Sequence, residues 1–376
     1  MPLDRRVKIA RVTVPLTLES TAFAKAKKLL PVEEWYSKRW DRITLTKYRT
    51  QWISTWKVYT RPDGILWLFF RLPFRLIKGR YSLFMAGARD PQGIVTFLIS
   101  RILQKPIVLS DTFMEWPKRL LAKFYWPLSR FVASHATVLT VNSHKVKRFW
   151  ELAGVQSDKI MISVLWFVSR IEGKGEKSSL AETLKSELGY RKVVLFLGRL
   201  IPRKGIDYLI KAFAEVSKDI EGVGLLIVGE GPEREKLEGL CDNIGIDNVI
   251  FTGYVDEDTK TLYYLLADFF VLPSIYLKVT EEWGLVVNEA MSVGKPAIVT
   301  TAVGCAYELV KNGINGYIVP EKSVASLYHT IKKLLTDDAL RVKMGKEAKK
   351  TIDESFNDER AINDLKESIN RALTAS

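Results

Sequence analysis

A chain of 376 residues, 47% of them hydrophobic, is too long for one ordinary core and suits two domains of roughly 150 to 200 residues. The formal net charge of +14 is unevenly spread: residues 1–170 hold 30 Lys+Arg against 11 Asp+Glu, a net of +19, and the rest hold 27 against 32, a net of −5. Two cysteines, Cys241 and Cys305, exclude a disulfide framework or thiolate metal site. Neither a signal-peptide pattern nor an apolar run of about 18 residues occurs, so a cytoplasmic protein is expected.

The first half opens on an apolar strand, Lys8 to Val14, followed by Pro15-Leu16-Thr17-Leu18-Glu19-Ser20. Nine of the ten tryptophans lie before residue 170, interleaved with cations. In Leu66 to Lys78, the residues Arg71, Arg75 and Lys78 fall at i, i+4 and i+7, one face of a helix whose remaining side chains are aromatic or aliphatic. That pattern fits a helix lying in a membrane interface, although Pro73 would kink an uninterrupted one. Lys118 to Trp126 is a second such segment, with Tyr and Trp suited to the headgroup zone. The competing reading is a pair of core helices with snorkelling basic side chains. Nucleic acid is a third, but no RNA- or DNA-binding module signature accompanies it and no such partner is expected.

A second strand, Pro106 to Ser110, runs directly into Asp111, which puts that carboxylate at a strand's carboxyl end beside Glu115. Asp111 is thereby a candidate reaction-centre or acceptor-orienting residue. It suits equally a cap for the segment leading into Trp116-Pro117. A polar stretch from about Ser169 to Ser179, with Gly173-Lys174-Gly175, reads as an inter-domain linker.

Beyond it, strand and helix alternate. Val193–Leu197, Gly224–Val228, Val249–Phe251, Phe269–Leu272, Ala297–Thr300 and Gly316–Val319 are strand-length apolar runs, with helical patterns at Asp207–Ser217, Glu233–Cys241, Asp258–Ala267 and Leu285–Met291. The alternation predicts a parallel sheet covered on both faces, with ligands beyond the strands' carboxyl ends. Two motifs lie there. Gly198-Arg199 with Lys204-Gly205 follows the first strand and puts cations where a diphosphate could sit, or makes a solvated basic turn with Arg203. Glu281 and Glu289 are eight residues apart across Gly284-Leu285-Val286, which reads as a helix start with free N–H groups for an anion. The plainer alternative has Glu281 and Glu282 merely favouring a helix N-terminus. Asp256-Glu257-Asp258 precedes Thr259 and reads as a helix cap rather than a metal motif. His135, His144 and His329 are scattered, so no metal site is expected. The last 25 residues, from about Ile352, predict one polar helix or two.

The ordered series of these motifs resembles the donor half of glycosyltransferase family 4 from about Lys192 to Asp353. It includes Val228-Gly229-Glu230-Gly231-Pro232, Phe251-Thr252-Gly253-Tyr254-Val255, Gly294-Lys295-Pro296, Thr301-Ala302-Val303-Gly304 and Asn312-Gly313-Ile314-Asn315-Gly316. The resemblance implies an α/β fold of the GT-B type, with two Rossmann-like doubly wound domains facing across a cleft. An acceptor domain would span residues 1–170 with a tail, 352–376, crossing back onto it, and a donor domain residues 180–351. It also implies a retaining hexosyltransferase without cofactor or metal, using a UDP- or GDP-sugar. Arg199 and Lys204 would hold the diphosphate, Glu281 the sugar hydroxyls and Glu289 the ribose. Gly198, Gly231, Pro232, Gly284, Leu285 and Val286 would line the donor, with Tyr254 and Val255 beside the base.

The first half departs from the family's pattern. A usual glycine pair is absent from Pro15–Ser20, a usual histidine from Asp111–Trp116, and Leu165-Trp166-Phe167 stands where relatives often read Asn-Gly. The second position of a family double glycine is Cys305. With the basic, tryptophan-rich first half, the expected acceptor is a lipid-linked or membrane-presented glycan at the inner face of the cell membrane. A soluble enzyme acting on a small sugar or glucan is the alternative, as is a sugar-nucleotide-binding subunit with reduced catalysis.

Overall fold

The computed structural model describes residues 8–13, 49–54, 72–89, 91–111, 120–164, 171, 175–277 and 281–375. The segments Pro15–Ser20, Leu66–Arg71, Thr112–Arg119 and Leu165–Phe167 lie outside the described residues. Two compact units divide the chain: Met1–Trp166 together with Asp358–Ser376, and Phe167–Asn357.

The first unit contains a six-stranded parallel sheet. Its strands are β1 (Lys8–Thr13), β2 (Arg49–Ser54), β3 (Leu83–Gly87), β4 (Ile107–Asp111), β5 (Val138–Val141) and β6 (Ile160–Ile162), in spatial order β2-β1-β3-β4-β5-β6. Helices α1 (Leu72–Lys78), α2 (Pro91–Ile102), α3 (Leu120–His135) and α4 (His144–Leu152) connect them. In α1 as described, Leu72–Lys78, Pro73 is the second residue. The core gathers around Trp150, Phe84 and Leu109, all fully buried.

The second unit starts with α5 (Glu176–Glu187), so helix already begins inside the stretch that reads as linker. Strands β7 (Lys192–Leu197), β8 (Val223–Val228), β9 (Val249–Gly253), β10 (Phe269–Leu272), β11 (Ala297–Thr300) and β12 (Gly316–Val319) pair in parallel in the order β12-β11-β10-β7-β8-β9. Val193 to Phe196 and Phe269 to Leu272 are fully buried, as expected of parallel strands covered on both faces. Between strands lie α6 (Ile206–Asp219), α7 (Arg234–Ile244), α8 (Glu257–Leu266), α9 (Leu285–Ser292) and the short α10 (Ala306–Leu309). Helices α11 (Val324–Thr336) and α12 (Asp338–Ser355) close the unit. The order reverses between β7 and β10, and that switch point is where doubly wound sheets open a crevice for ligands.

The final helix, α13 (Asp358–Thr374), belongs to the first unit and packs on β3, β4 and β5. Its Asp364 accepts the backbone N–H of Val164 at 2.9 Å and the Arg360 guanidinium at 2.8 Å.

Candidate active site

The loops at the carboxyl ends of the second sheet are laced together by backbone contacts that only glycine permits. Gly205 adopts φ 61°, and a Cβ there would lie 2.3 Å from the Pro273 carbonyl oxygen, so the loop after β7 presses directly on the loop after β10. Ile275 donates its N–H to Arg203 O at 2.8 Å across the same seam. A Cβ on Gly231 would meet Leu200 O at 2.2 Å, and Leu200 donates to Glu230 O at 2.9 Å, which joins the loops after β7 and β8. Gly304 and Cys305 donate to Glu281 O and Trp283 O at 2.8 and 3.0 Å, so the turn after β11 carries the segment leading into α9.

Within that frame Lys204 and Glu281 meet at the switch point. The Lys204 ammonium donates to a Glu281 carboxylate oxygen at 2.6 Å, and the Arg203 guanidinium reaches the same oxygen at 3.4 Å. Both Lys204 and Glu281 are buried, at 7% and 9% exposure. Burial by itself would raise the Glu281 pKa, yet the charges of Lys204 and Arg203 outweigh it and hold the carboxyl below its ordinary value. Arg199, in the same loop, is exposed. Gly198 starts that loop, its N–H bonded to Val228 O at 2.9 Å.

Gly284, at φ 92°, is the N-cap of α9 and brings no capping side chain. The first turn, Leu285 and Val286, therefore presents backbone N–H groups that a bound anion could accept from. One turn further on, Glu289 is buried and accepts from the Lys260 ammonium at 3.0 Å and the Tyr264 hydroxyl at 2.9 Å. Lys260 also pairs with Glu257 at 2.6 Å. Burial opposes its charge, but Glu289 and Glu257 together lift its pKa above the usual lysine value. Tyr264, fully buried and facing the same carboxylate, is held well above the ordinary phenol pKa by that burial and by Glu289. Tyr254 is 41% exposed just past β9, next to the half-buried Val255, and Pro232 is exposed beside Gly231.

Lys204 and Glu281 thus meet beside Gly284, at the start of α9. Arg203, Lys260 and Tyr264 are additions. Lys260 and Tyr264 stand at i and i+4 on α8, so helical spacing alone puts both on one face, but nothing in the chain marks that face as turned toward Glu289. Asp256 caps α8, accepting from Thr259 N at 2.8 Å. Among the described residues no group of three or more His, Cys, Asp or Glu could hold a metal.

Asp111, in the first unit, has a different setting. It is 4% exposed, and one carboxylate oxygen accepts both Arg89 Nε at 2.8 Å and the Trp150 indole N–H at 2.7 Å. The Arg89 guanidinium in turn lies 4.6 Å from the Phe149 ring centre and 5.3 and 5.5 Å from those of Trp150 and Trp126. Cation–π contact and a buried ion pair make this a built support for the β3 and β4 ends. The segment that it would cap, up to Trp116-Pro117, is outside the described residues.

Comparison with known proteins places the second unit in a family and the chain in a fold. Residues 183–351 match the family model of glycosyl transferases group 1. An uncharacterized glycosyltransferase of Methanocaldococcus jannaschii is 37% identical over 166 residues, 44% of this chain and 41% of that protein. A GDP-mannose-dependent alpha-(1-6)-phosphatidylinositol monomannoside mannosyltransferase of Mycobacterium tuberculosis is 36% identical over 162 residues, 42% of each. The alpha-D-kanosaminyltransferase of Streptomyces kanamyceticus is 27% identical over 264 residues, 67% of each. The match to the first two spans under half of their length. Among solved structures, Anabaena HepE in complex with UDP superposes with a TM-score of 0.74 at 19% identity, covering 97% of this chain and all of that one. The sucrose-phosphate synthase of Thermosynechococcus elongatus gives 0.66 at 19%, covering 99% and 100%. These neighbours share the GT-B fold.

Proposed function

From the match of residues 183–351 to the family model of glycosyl transferases group 1, we propose that the chain is a retaining, metal-independent hexosyltransferase of that family. It moves a sugar from a UDP- or GDP-sugar to a lipid-linked or membrane-presented glycan, working at the inner face of the cell membrane. The observation that carries the donor half of this reading is the Lys204–Glu281 pair beside the uncapped start of α9, at the point where the strand order reverses. A donor diphosphate entering there replaces Glu281 as the counter-charge of Lys204, and Arg199 and Arg203 add planar donors from the same loop. The released carboxylate faces the sugar hydroxyls. Glu289, oriented by Lys260 and Tyr264, accepts from the ribose, while Gly198, Gly231 and Pro232 flank the diphosphate and Tyr254 and Val255 the base. As the sugar–phosphate bond breaks, negative charge grows on the leaving diphosphate, and the preformed cations and helix N–H groups stabilise it most at that stage.

The acceptor part rests on the basic first half and on relatives such as the phosphatidylinositol monomannoside mannosyltransferase. The hold of Arg89 and Trp150 on Asp111 favours a positioning role for that residue rather than contact with the sugar. It also favours, as the second reading, a sugar-nucleotide-binding subunit with reduced catalysis. Thermal shifts against UDP-, GDP- and ADP-sugars identify the donor, and turnover in the presence of EDTA tests the metal-independent mechanism. Lys204→Ala should then lower turnover about 100- to 1000-fold, the scale of one lost oxyanion donor, with a smaller loss of donor affinity. Unchanged turnover removes Lys204 from the diphosphate role. Donor binding without any transfer or hydrolysis selects the subunit reading.

A further inference from the structure

We propose that the face formed by α1, α2 and α3 in the first unit seats the protein on an anionic lipid bilayer, its apolar side chains entering the acyl boundary. This rests on the reading of a membrane-presented acceptor and assigns it a surface.

The three helices are neighbours. Helix α1 packs on α2 and α2 on α3, with the rings of Phe97 and Phe131 meeting edge to face at 6.3 Å. Each buries one stripe against the core and shows large apolar groups on the other. In α1, Leu72 and Leu76 are buried while Phe74 and Ile77 are 65% and 49% exposed. On α2, Leu98 and Ile102 stand one turn apart at 50% and 71%, and on α3 Phe131 is 51% exposed. A helix that merely covers a sheet turns charged and polar groups outward, so three successive helices with apolar outer stripes mark an interaction surface.

Charge selects the occupant. The 7, 12 and 16 residues of α1, α2 and α3 contain no Asp or Glu, yet they carry Arg75, Lys78, Arg101, Lys123 and Arg130. Arg75, Lys78, Arg101 and Arg130 are exposed among the apolar groups. By contrast α13, also of the first unit, mixes Asp358, Glu359 and Glu367 with Arg360, Lys366 and Arg371, and exposes no large apolar side chain among its described residues. Aromatic and aliphatic groups flanked by cations without any compensating acid match a negatively charged headgroup layer over hydrocarbon. A second copy of the chain would bring the same positive face, and like charges would oppose that pairing.

The test uses the full chain with vesicles of phosphatidylcholine alone or mixed with phosphatidylglycerol, read by co-sedimentation at low and high salt. Binding is expected only to the mixed vesicles and should weaken as salt rises. Leu98→Ser with Ile102→Ser, and separately Arg101→Glu with Arg130→Glu, should each weaken partitioning at least tenfold while leaving the donor-induced thermal shift unchanged. That shift is measured without lipid, so failure of the donor reading is seen separately. Partitioning unaffected by both double variants overturns the proposal. So does a dimer in sedimentation velocity that Leu98→Ser with Ile102→Ser dissociates, because the face would then belong to a second copy.

Discussion

Lys204 and Glu281 form a contact whose strength depends on both being charged and dry. The lowered Glu281 pKa gives the sign. The folded state binds the proton less tightly than the unfolded chain, whose glutamate titrates near 4.3. The pair's stabilisation is therefore fully present above that pH and is lost as pH falls through the folded value. Glu281→Gln should cost about 3 kcal/mol at neutral pH, since Lys204 stays buried without its anion. In urea titrations the gap between wild type and variant should narrow toward pH 3. A gap independent of pH would mean that the contact is not ionic. Lys295 runs in the same direction with the opposite charge. It is confined by burial, partly relieved by Asp268, and its pKa is pushed down to about 8. The folded state gives up this proton before the unfolded chain does, so stability rises with pH between about 8 and 10.4. Relative to Lys295→Met, the wild type should gain on the order of 3 kcal/mol from pH 7 to pH 10.5, measured by the same titrations. Residue types and spacing made Glu281, Glu289 and Lys204 legible in the chain. The partners Arg203, Lys260 and Tyr264 were not, because a partner is set by which face of α8 or which loop tip turns inward, and that is decided by packing.

At the scale of elements, β10, β11 and β12 lie where their apolar runs predict, and α9 extends one residue past its pattern to Ser292. β10 and β11 are fully buried, β12 is half-buried, and glycine-marked turns bound them, which leaves few alternatives there. The first half was less legible, since its cations and aromatics suit a covered core helix and an interfacial one equally well. Local conflicts confirm how tightly the second sheet's loops are specified. Gly284 has φ 92°, and a Cβ would come within 2.9 Å of a Leu272 methyl and 3.2 Å of one on Val303. Gly284→Ala should cost about 1–2 kcal/mol from the left-handed backbone alone. It should also weaken donor binding by tilting the first turn of α9. Calorimetry with and without donor separates the two effects, and an unchanged melting temperature would contradict the strain.

For the molecule as a whole, the first unit is completed only by the end of the chain. Helix α13 buries Ala361, Leu365, Ile369 and Ala372 against its sheet, and Asp364 holds Val164 N. Truncation after Asn357 should therefore abolish the melting transition of the first unit and leave that of the second, which closes at α12. Two retained transitions would show that the first unit folds without its last helix.

Trp283 offers a way to watch the donor loop from within. It is the one tryptophan of the second unit, 2% exposed, with its indole N–H given to Asn288 Oδ1 at 2.8 Å and its ring centre 6.0 Å from that of Phe356. Fluorine is acutely sensitive to local fields and contacts. In protein grown on 5-fluorotryptophan, this ring should therefore give one resonance that responds when a diphosphate takes Lys204 from Glu281, two residues away. The other nine lines come from the first unit and serve as an internal reference in the same spectrum.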